Sequence, residues 1–275
     1  FWQMYDNIIP LILTNTFHLN ETVSGAIMAA DNVLALFLLP FFGALSDRTS
    51  TKIGRRMPFI LGGTACAVVL MNLLPVFDNG YAATGERGKL VLFVVALGLL
   101  LVAMGTYRSP AVALMPDVTP KPLRSRANAI INLMGAVGGI LYLAAAAVLY
   151  PNSKTAGAAH VNYQPLFVVV SVLMAVSVIV LYLTTNEPKL AAAEKEYEAA
   201  HPEQQLAEEE ADGHEELPKP VKRSLLMLLF SIALWYIGYN GVTTWWTTYV
   251  SRVMGQGLGG ASTCLLVATG GAIVS

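Results

Sequence analysis

The chain has 275 residues, 55% hydrophobic and only 13% charged, with a mean hydropathy of +0.57 and a formal net charge of −1. Soluble domains carry roughly 25% charged residues, because water must wet their surface, so a soluble globular domain is excluded. There is no basic excess to attract nucleic acid. Cys66 and Cys264 each lie in an apolar run and read as small packed hydrophobes, not as a disulfide or metal site. The four histidines are scattered without ligand spacing. With no nucleophile–base constellation and no metal or cofactor motif, a membrane-embedded enzyme is disfavoured and no cofactor is expected.

A membrane-crossing helix needs about 20 mostly apolar residues, and it must satisfy its own backbone hydrogen bonds. That rule places spans at about 1–17, 22–45, 58–77, 89–116, 126–150, 164–185, 223–250 and 259–275. The first and last are incomplete: the chain opens on Phe1 inside an apolar stretch and stops inside another, so it reads as a piece of a longer protein. The fold class is therefore an all-α polytopic membrane protein with about eight helices present.

Basic residues set the orientation. The links after the second, fourth and sixth spans hold Arg48, Lys52, Arg55, Arg56, Lys121, Arg124, Arg126, Lys189, Lys195, Lys219, Lys222 and Arg223. The opposite links hold Arg87, Lys89, Lys154 and Arg252. The first set is expected to be cytoplasmic, in a multi-pass protein of the cell membrane.

The link 186–222 is long and acidic and closes on Pro-Lys-Pro. It reads mainly as a solvated connector, with a regulatory docking segment as the alternative. Six spans before it and more after suggest two halves: an N-terminal six-helix bundle over 1–185, the linker 186–222, and the start of a C-terminal bundle over 223–275. A weak internal repeat agrees, since Trp2 to Asn7 (W-Q-M-Y-D-N) and Trp235 to Asn240 (W-Y-I-G-Y-N) share Trp and Asn at one spacing.

The link after the second span reads GALSDRTSTKIGRRMPFI from Gly43 to Ile60. Gly43 permits close helix contact, and Asp47 at a helix end can cap or pair with a neighbour. Arg48, Arg55 and Arg56, with Gly54 before them, supply its partners. Plain positive-inside anchoring accounts for the charge but not for the ordered D-R…G-R-R pattern. The stretch resembles the signature loop of the major facilitator superfamily. Its spacing, with P-F-I following, is similar to the branch of sucrose transporters and glycoside–pentoside–hexuronide cation symporters. YRSPAVALMPDVTPKPLRSRANAIINLMGAVGG, from Tyr107, resembles the same branch. The resemblance implies twelve spans, a central cavity, and proton-coupled uptake of sucrose, maltose or another glucoside by a carrier working as a monomer in the lipid bilayer. One departure stands out: plant transporters place the arginine five residues before the aspartate, whereas Arg108 lies nine before Asp117 and Val112 occupies the expected place.

Asp6, Asp31 and Arg108 fall near mid-depth of their spans, and ionisable residues there default to functional hypotheses. They are the candidates for proton coupling; the bland reading is a buried ion pair that fixes packing. Sugar rings stack their C–H faces on aromatics and fix hydroxyls with Asn, Asp and Arg, so Tyr5, Asp6, Asn7, Arg108, Trp235, Tyr239 and Asn240 are candidate substrate contacts. Trp245 and Trp246 fit an interfacial belt better. Asn128 and Asn132 open the fifth span, where Gly135, Gly138 and Gly139 suit close helix packing. MGAVGG lacks the Gly-Pro of drug exporters. A sodium-coupled glycoside symporter is the first alternative, lowered because Leu39 precedes Pro40 where that family places an acid; a non-transporting sugar sensor is another.

Overall fold

The computed structural model of the chain describes residues 1–155, 158, 160–200 and 218–274. Among these there is no strand. Helix α1, Trp2–Leu11, runs into a π-helical turn, Ile12–Thr16. Then follow α2, Glu21–Arg48; α3, Met57–Thr84; α4, Arg87–Val118; and α5, Arg124–Leu149. A short α6, Asn152–Thr155, precedes α7, Gln164–Thr184, and α8, Glu187–Ala200. The chain ends in α9, Lys219–Val253, and α10, Leu258–Val274. Helices α2, α3, α4, α5, α7 and α9 are long and apolar enough to cross a membrane, and α10 is a shorter apolar helix.

Every expected span is a helix, and the differences lie at the ends. Asn20 caps α2, its side-chain oxygen accepting the Val23 N–H at 2.8 Å. Helix α3 continues past the expected residue 77 to Thr84 and stops where Gly85 turns left-handed (φ 68°). The extension brings Asp78 inside the helix. Helix α9 starts at Lys219, so Lys219, Lys222 and Arg223 lie on its first turns instead of in a link.

The core is built on α1. Met4, Tyr5, Ile8, Ile9, Ile12 and Leu13 are almost wholly enclosed, against Met71, Leu74, Phe93, Leu97 and Leu100 of α3 and α4 and Tyr142, Leu143 and Ala146 of α5. Pro10 lies inside α1, where a ring in place of an N–H frees a carbonyl. The hydroxyl of Thr14, inside the π turn, donates to the Pro10 carbonyl four residues earlier at 2.8 Å. Helix α3 packs along α4 at a point where Gly63 faces Tyr107: a Cβ there would meet the Tyr107 Cβ at 2.8 Å and its backbone nitrogen at 3.0 Å. Helix α7 is tied to α3 by Asn72, whose amide donates to Ser171 Oγ at 2.6 Å.

Burial is uneven along the bundle. Helix α9 is exposed from Lys219 to Val242 and becomes buried only at Thr247, Thr248 and Val250, where Thr247 donates to the Asn7 carbonyl at 2.8 Å. Nearby, Arg252 pairs with Glu21 at 2.6 Å and Gly257 N–H donates to Asn152 Oδ1 at 2.6 Å. A Cβ at Gly259 would collide with the Tyr150 carbonyl. The last two helices thus meet the first six at the end that carries the 150–163 loop, and stand free at the end that carries the 49–56 loop. Cys66 and Cys264 are exposed on the helix surface, correcting the expectation that both are packed inside; apolar helix surface facing lipid gives a thiol the same environment as a core.

The Gly63 approach sets a test of this packing. Gly63→Val should overpack the α3–α4 seam and destabilise the protein by about 1–3 kcal/mol, read as a lower thermal midpoint in detergent. Gly62→Val, where no atom lies within reach of a Cβ, should leave that midpoint unchanged.

Candidate functional site

Two polar constellations occupy the bundle. The first is the 49–56 loop, which begins with Asp47 and Arg48 in the last turn of α2. Arg56 precedes α3, and its side chain is only 6% exposed. Its guanidinium reaches Asp47 Oδ1 at 2.5 Å, Asp117 Oδ2 at 2.8 Å and Ser46 Oγ at 2.5 Å. Arg55 pairs with the other Asp117 oxygen at 2.8 Å. A planar fork suits this role, because several carboxylate oxygens lie around one flat cation. Gly43 lets α2 approach α4, since a Cβ there would meet Ser109 Oγ at 2.9 Å.

The loop has a further partner from α8. The Glu187 carboxylate, 3% exposed, accepts the backbone N–H groups of Arg55 at 2.8 Å, Arg56 at 2.9 Å and Met57 at 2.9 Å. These are unpaired donors at the start of α3, where the helix dipole favours a negative charge. Gly54 is required beside it: φ is 117°, and a Cβ would run into the Glu187 side chain. Farther along α8, Arg124 donates to Glu194 at 2.9 Å. Burial, then the hydrogen bond and charge of Glu198, raise the Glu194 carboxyl above the ordinary range, with Arg124 opposing. The first part of the acidic link is a mostly exposed helix docked through Glu187 and Glu194, which corrects its reading as only a solvated connector; residues 201–217 lie outside the described residues. Composition alone hid this contact, because Glu187 binds backbone N–H groups that have no sequence signature. Asp117 was noted only through the family pattern, and the structure makes it the hinge of the network.

The second constellation lies halfway along the helices. Asp31 of α2 and Arg108 of α4 line one narrow crevice with Trp2 of α1. The Arg108 guanidinium carbon stands 5.0 Å from the Trp2 ring centroid, a cation–π geometry. Asp6, half-buried, is within electrostatic reach of Asp31, and Asp31 of Arg108. Among the described residues no carboxylate closes a direct ion pair with Arg108. The three ionisable groups thus come together without locking, which differs from a fixed structural salt bridge. Trp2 is the member not foreseen as a contact; its place one turn before Asp6 was the available signal.

The other candidates are placed as follows. Tyr5 is enclosed, its hydroxyl donating to the Met28 carbonyl at 3.4 Å. Asn7 is enclosed too, its amide donating to the Gln3 carbonyl at 2.6 Å. Neither lines the crevice. Trp235 and Tyr239 are exposed on α9 and stacked, ring centroids 5.4 Å apart at 14°, with Asn240 exposed beside them. Asn128 and Asn132 are exposed on α5, and Gly135, Gly138 and Gly139 line a pocket of about 530 Å³ with Trp2, Gln3 and Tyr107. Asp78, omitted because the third span was ended one residue before it, is a fully enclosed carboxylate within α3.

A bundle of membrane-length helices with ionisable groups at mid-depth and an interlocked charged loop at one end defines a polytopic helical membrane protein of carrier architecture. The family model described as Major Facilitator Superfamily matches residues 1–275, and the chain belongs to that superfamily. It is 32% identical over 146 residues to the Sucrose transport protein SUC3 of Arabidopsis thaliana, covering 48% of this chain and 24% of that protein. It is 36% identical over 114 residues to the Sucrose transport protein SUC4 of the same plant, covering 38% and 22%. It is 25% identical over 187 residues to the Putative glycoside/cation symporter YagG of Escherichia coli (strain K12), covering 68% and 40%. The matches to the two plant proteins span about a quarter of their length. No solved structure matches. These relatives are transporters by name, not enzymes.

The charged loop yields two tests. Glu187→Ala should remove an acceptor from three N–H groups and lower stability by about 2 kcal/mol, seen as a reduced thermal midpoint, with Glu187→Gln recovering part. Arg56→Lys should be nearly as damaging as Arg56→Ala, since an ammonium cannot span Asp47, Ser46 and Asp117 together.

Proposed function

We propose that this chain forms the first half, and the opening of the second, of a secondary carrier that takes up a sugar (sucrose, maltose or another glucoside) coupled to protons by alternating access. The observation that carries the reading is the mid-membrane crevice in which Asp31 and Arg108 meet the Trp2 ring, with Asp6 close by. A charge at the bilayer centre is unfavourable by about 2.5–3.5 kcal/mol on insertion scales, so three ionisable groups held there without a locked ion pair point to titration and ligand exchange. A carboxylate that takes a proton releases Arg108 from its field, and the guanidinium is then available to a sugar hydroxyl. The stacked Trp235 and Tyr239 offer a flat apolar platform to a sugar face, with Asn240, Asn128 and Asn132 as hydroxyl partners.

The division into bundle 1–185, linker 186–222 and second bundle from 223 belongs to the same reading. The last two helices touch the first six at one end only, as expected of a carrier closed on one side and open on the other. The excess of Lys and Arg in the links at the open end supports a cytoplasmic placement of that end in a cell-membrane protein, and the reading takes the carrier as a monomer. The plant relatives are named for sucrose and the bacterial one for a glycoside and a cation. Sugar is common to both names, and the proton is the choice that the mid-depth carboxylates support.

Uptake into proteoliposomes tests this directly. An inward proton gradient should drive accumulation of a glucoside, and an ionophore should abolish it. Asp6→Asn or Asp31→Asn should lose gradient-driven accumulation while keeping sugar exchange, and Arg108→Ala should weaken both. Normal accumulation by both Asn variants would remove the carboxylates from coupling. Accumulation driven by sodium alone would establish the sodium-coupled alternative, and no uptake under any gradient would favour a sensor.

A further inference from the structure

The enclosed carboxylate of Asp78 has no place in the mechanism above. Asp78 is fully buried near the far end of α3; its oxygens close no well-formed hydrogen bond, and the Thr16 hydroxyl is the polar group beside the carboxylate. His160, from the 150–163 loop, holds Nε2 at 3.9 Å from Asp78 Oδ2 and 2.8 Å from Asn79 Oδ1. Its Nδ1 lies 3.4 Å from the Thr16 hydroxyl. Partial burial lowers the imidazole's pKa from the ordinary histidine value, and with Nε2–H donating to Asn79 the other nitrogen, Nδ1, is the one that can take a proton. The ring lines a pocket of about 360 Å³ at the end where the two halves touch, together with Asn15, Thr16, Tyr163, Ser251 and Gln256.

Inward from Asp78 a row of polar groups leads toward the middle of the membrane. Tyr163 is within electrostatic reach of Asp78, and Tyr142 of both Tyr163 and Asp6. The Tyr142 hydroxyl and the Asn7 side-chain oxygen are buried side by side, each the other's nearest polar partner, and neither closes a well-formed hydrogen bond. Buried polar atoms are almost always satisfied, and those left without a protein partner mark positions for internal water. Asp78, Tyr142 and Asn7 are among the residues with such atoms, and electrostatic contacts run from Asp78 to Tyr163, from Tyr163 to Tyr142 and from Tyr142 to Asp6. The other groups facing the row are Tyr150, beside Tyr163; Asn79 and Thr16, beside His160; and Asp31 and Tyr5, beside Asp6.

We propose that His160, Asp78, Tyr163, Tyr142 and Asn7, with water between them, form a proton path from the outer pocket to Asp6. The proposal rests on Asp6 as a proton acceptor. A proton from external water binds the free nitrogen of His160 and passes to the Asp78 carboxylate, restoring the neutral ring. Each tyrosine hydroxyl or water then accepts one proton and donates another, until the Asp6 carboxylate is protonated and Asp78 is again charged. No other bond changes. The path stays within the first six helices, so it can load Asp6 while the two halves remain in contact at the outer end.

The experiment uses the protein in proteoliposomes, with an internal pH dye for proton flux, an imposed inward proton gradient and labelled glucoside. Asp78→Asn keeps size and polarity but cannot carry a proton, and Tyr142→Phe removes one oxygen without adding volume. Each should slow gradient-driven proton and sugar uptake about tenfold, while sugar exchange at equal pH shows that the variant is folded and binds. His160→Gln should shift the pH dependence of the uptake rate without abolishing uptake. If Asp6→Asn loses accumulation but Asp78→Asn and Tyr142→Phe match the unaltered rate, the path is wrong and Asp6 stands as the acceptor. If Asp6→Asn accumulates sugar normally, the acceptor itself is wrong and the path leads nowhere.

Discussion

Arg56 brings α2, α3 and α4 to a common point through one enclosed guanidinium. A cation that is almost fully buried is tolerated only where its charge and all its donors are answered. Asp47, Asp117 and Ser46 answer them here. These partners come from the ends of two different helices, so the register of α2 and α4 at this end follows from the placement of a single side chain. Glu187 then fixes the start of α3 and carries α8 with it. The helices that hold Asp31 and Arg108 are thereby positioned from a junction distant from the crevice itself.

Away from that junction the bundle is held differently. Tight apolar packing around α1 fills the other end, and polar contacts across the two halves are few and small: a threonine on a carbonyl, one exposed ion pair, a backbone amide on an asparagine. Exposed ion pairs contribute little, and each single hydrogen bond only about 1 kcal/mol net. Apolar packing of Val250, Leu258 and Ala261 therefore carries most of the contact that α9 and α10 make with the other helices.

Much of this was legible in the sequence because the bilayer imposes a length and a polarity rule that a helix cannot evade. All eight expected spans are helical among the described residues, six of them long enough to cross a membrane, and the D-R…G-R-R pattern located the junction. Features set by packing were less visible. Hydropathy marks where apolar residues stop, and it therefore ended the third span before Asp78, while the helix continues through FDNGYAAT because its backbone remains satisfied to Gly85. Tyr5 and Asn7 share the amphipathic look of cavity residues, yet they point into the core, a matter of helix rotation that spacing alone does not determine. Glu187 looked like one more acid in an acidic link. Its role depends on donors 130 to 132 positions earlier in the chain, and backbone donors leave no mark on residue identity.

The contact of Gly259 with the Tyr150 carbonyl has a consequence for how such a molecule can be tuned. Backbone there lies directly on backbone, with no side chain to serve as a cushion. A methyl group added at that point would act as a wedge: it would disfavour the arrangement in which the halves touch at this end and leave the opposite arrangement untouched. One hydrogen-for-methyl exchange on α10 would therefore act on the seam between α10 and the Tyr150 backbone alone, far from Asp31 and Arg108.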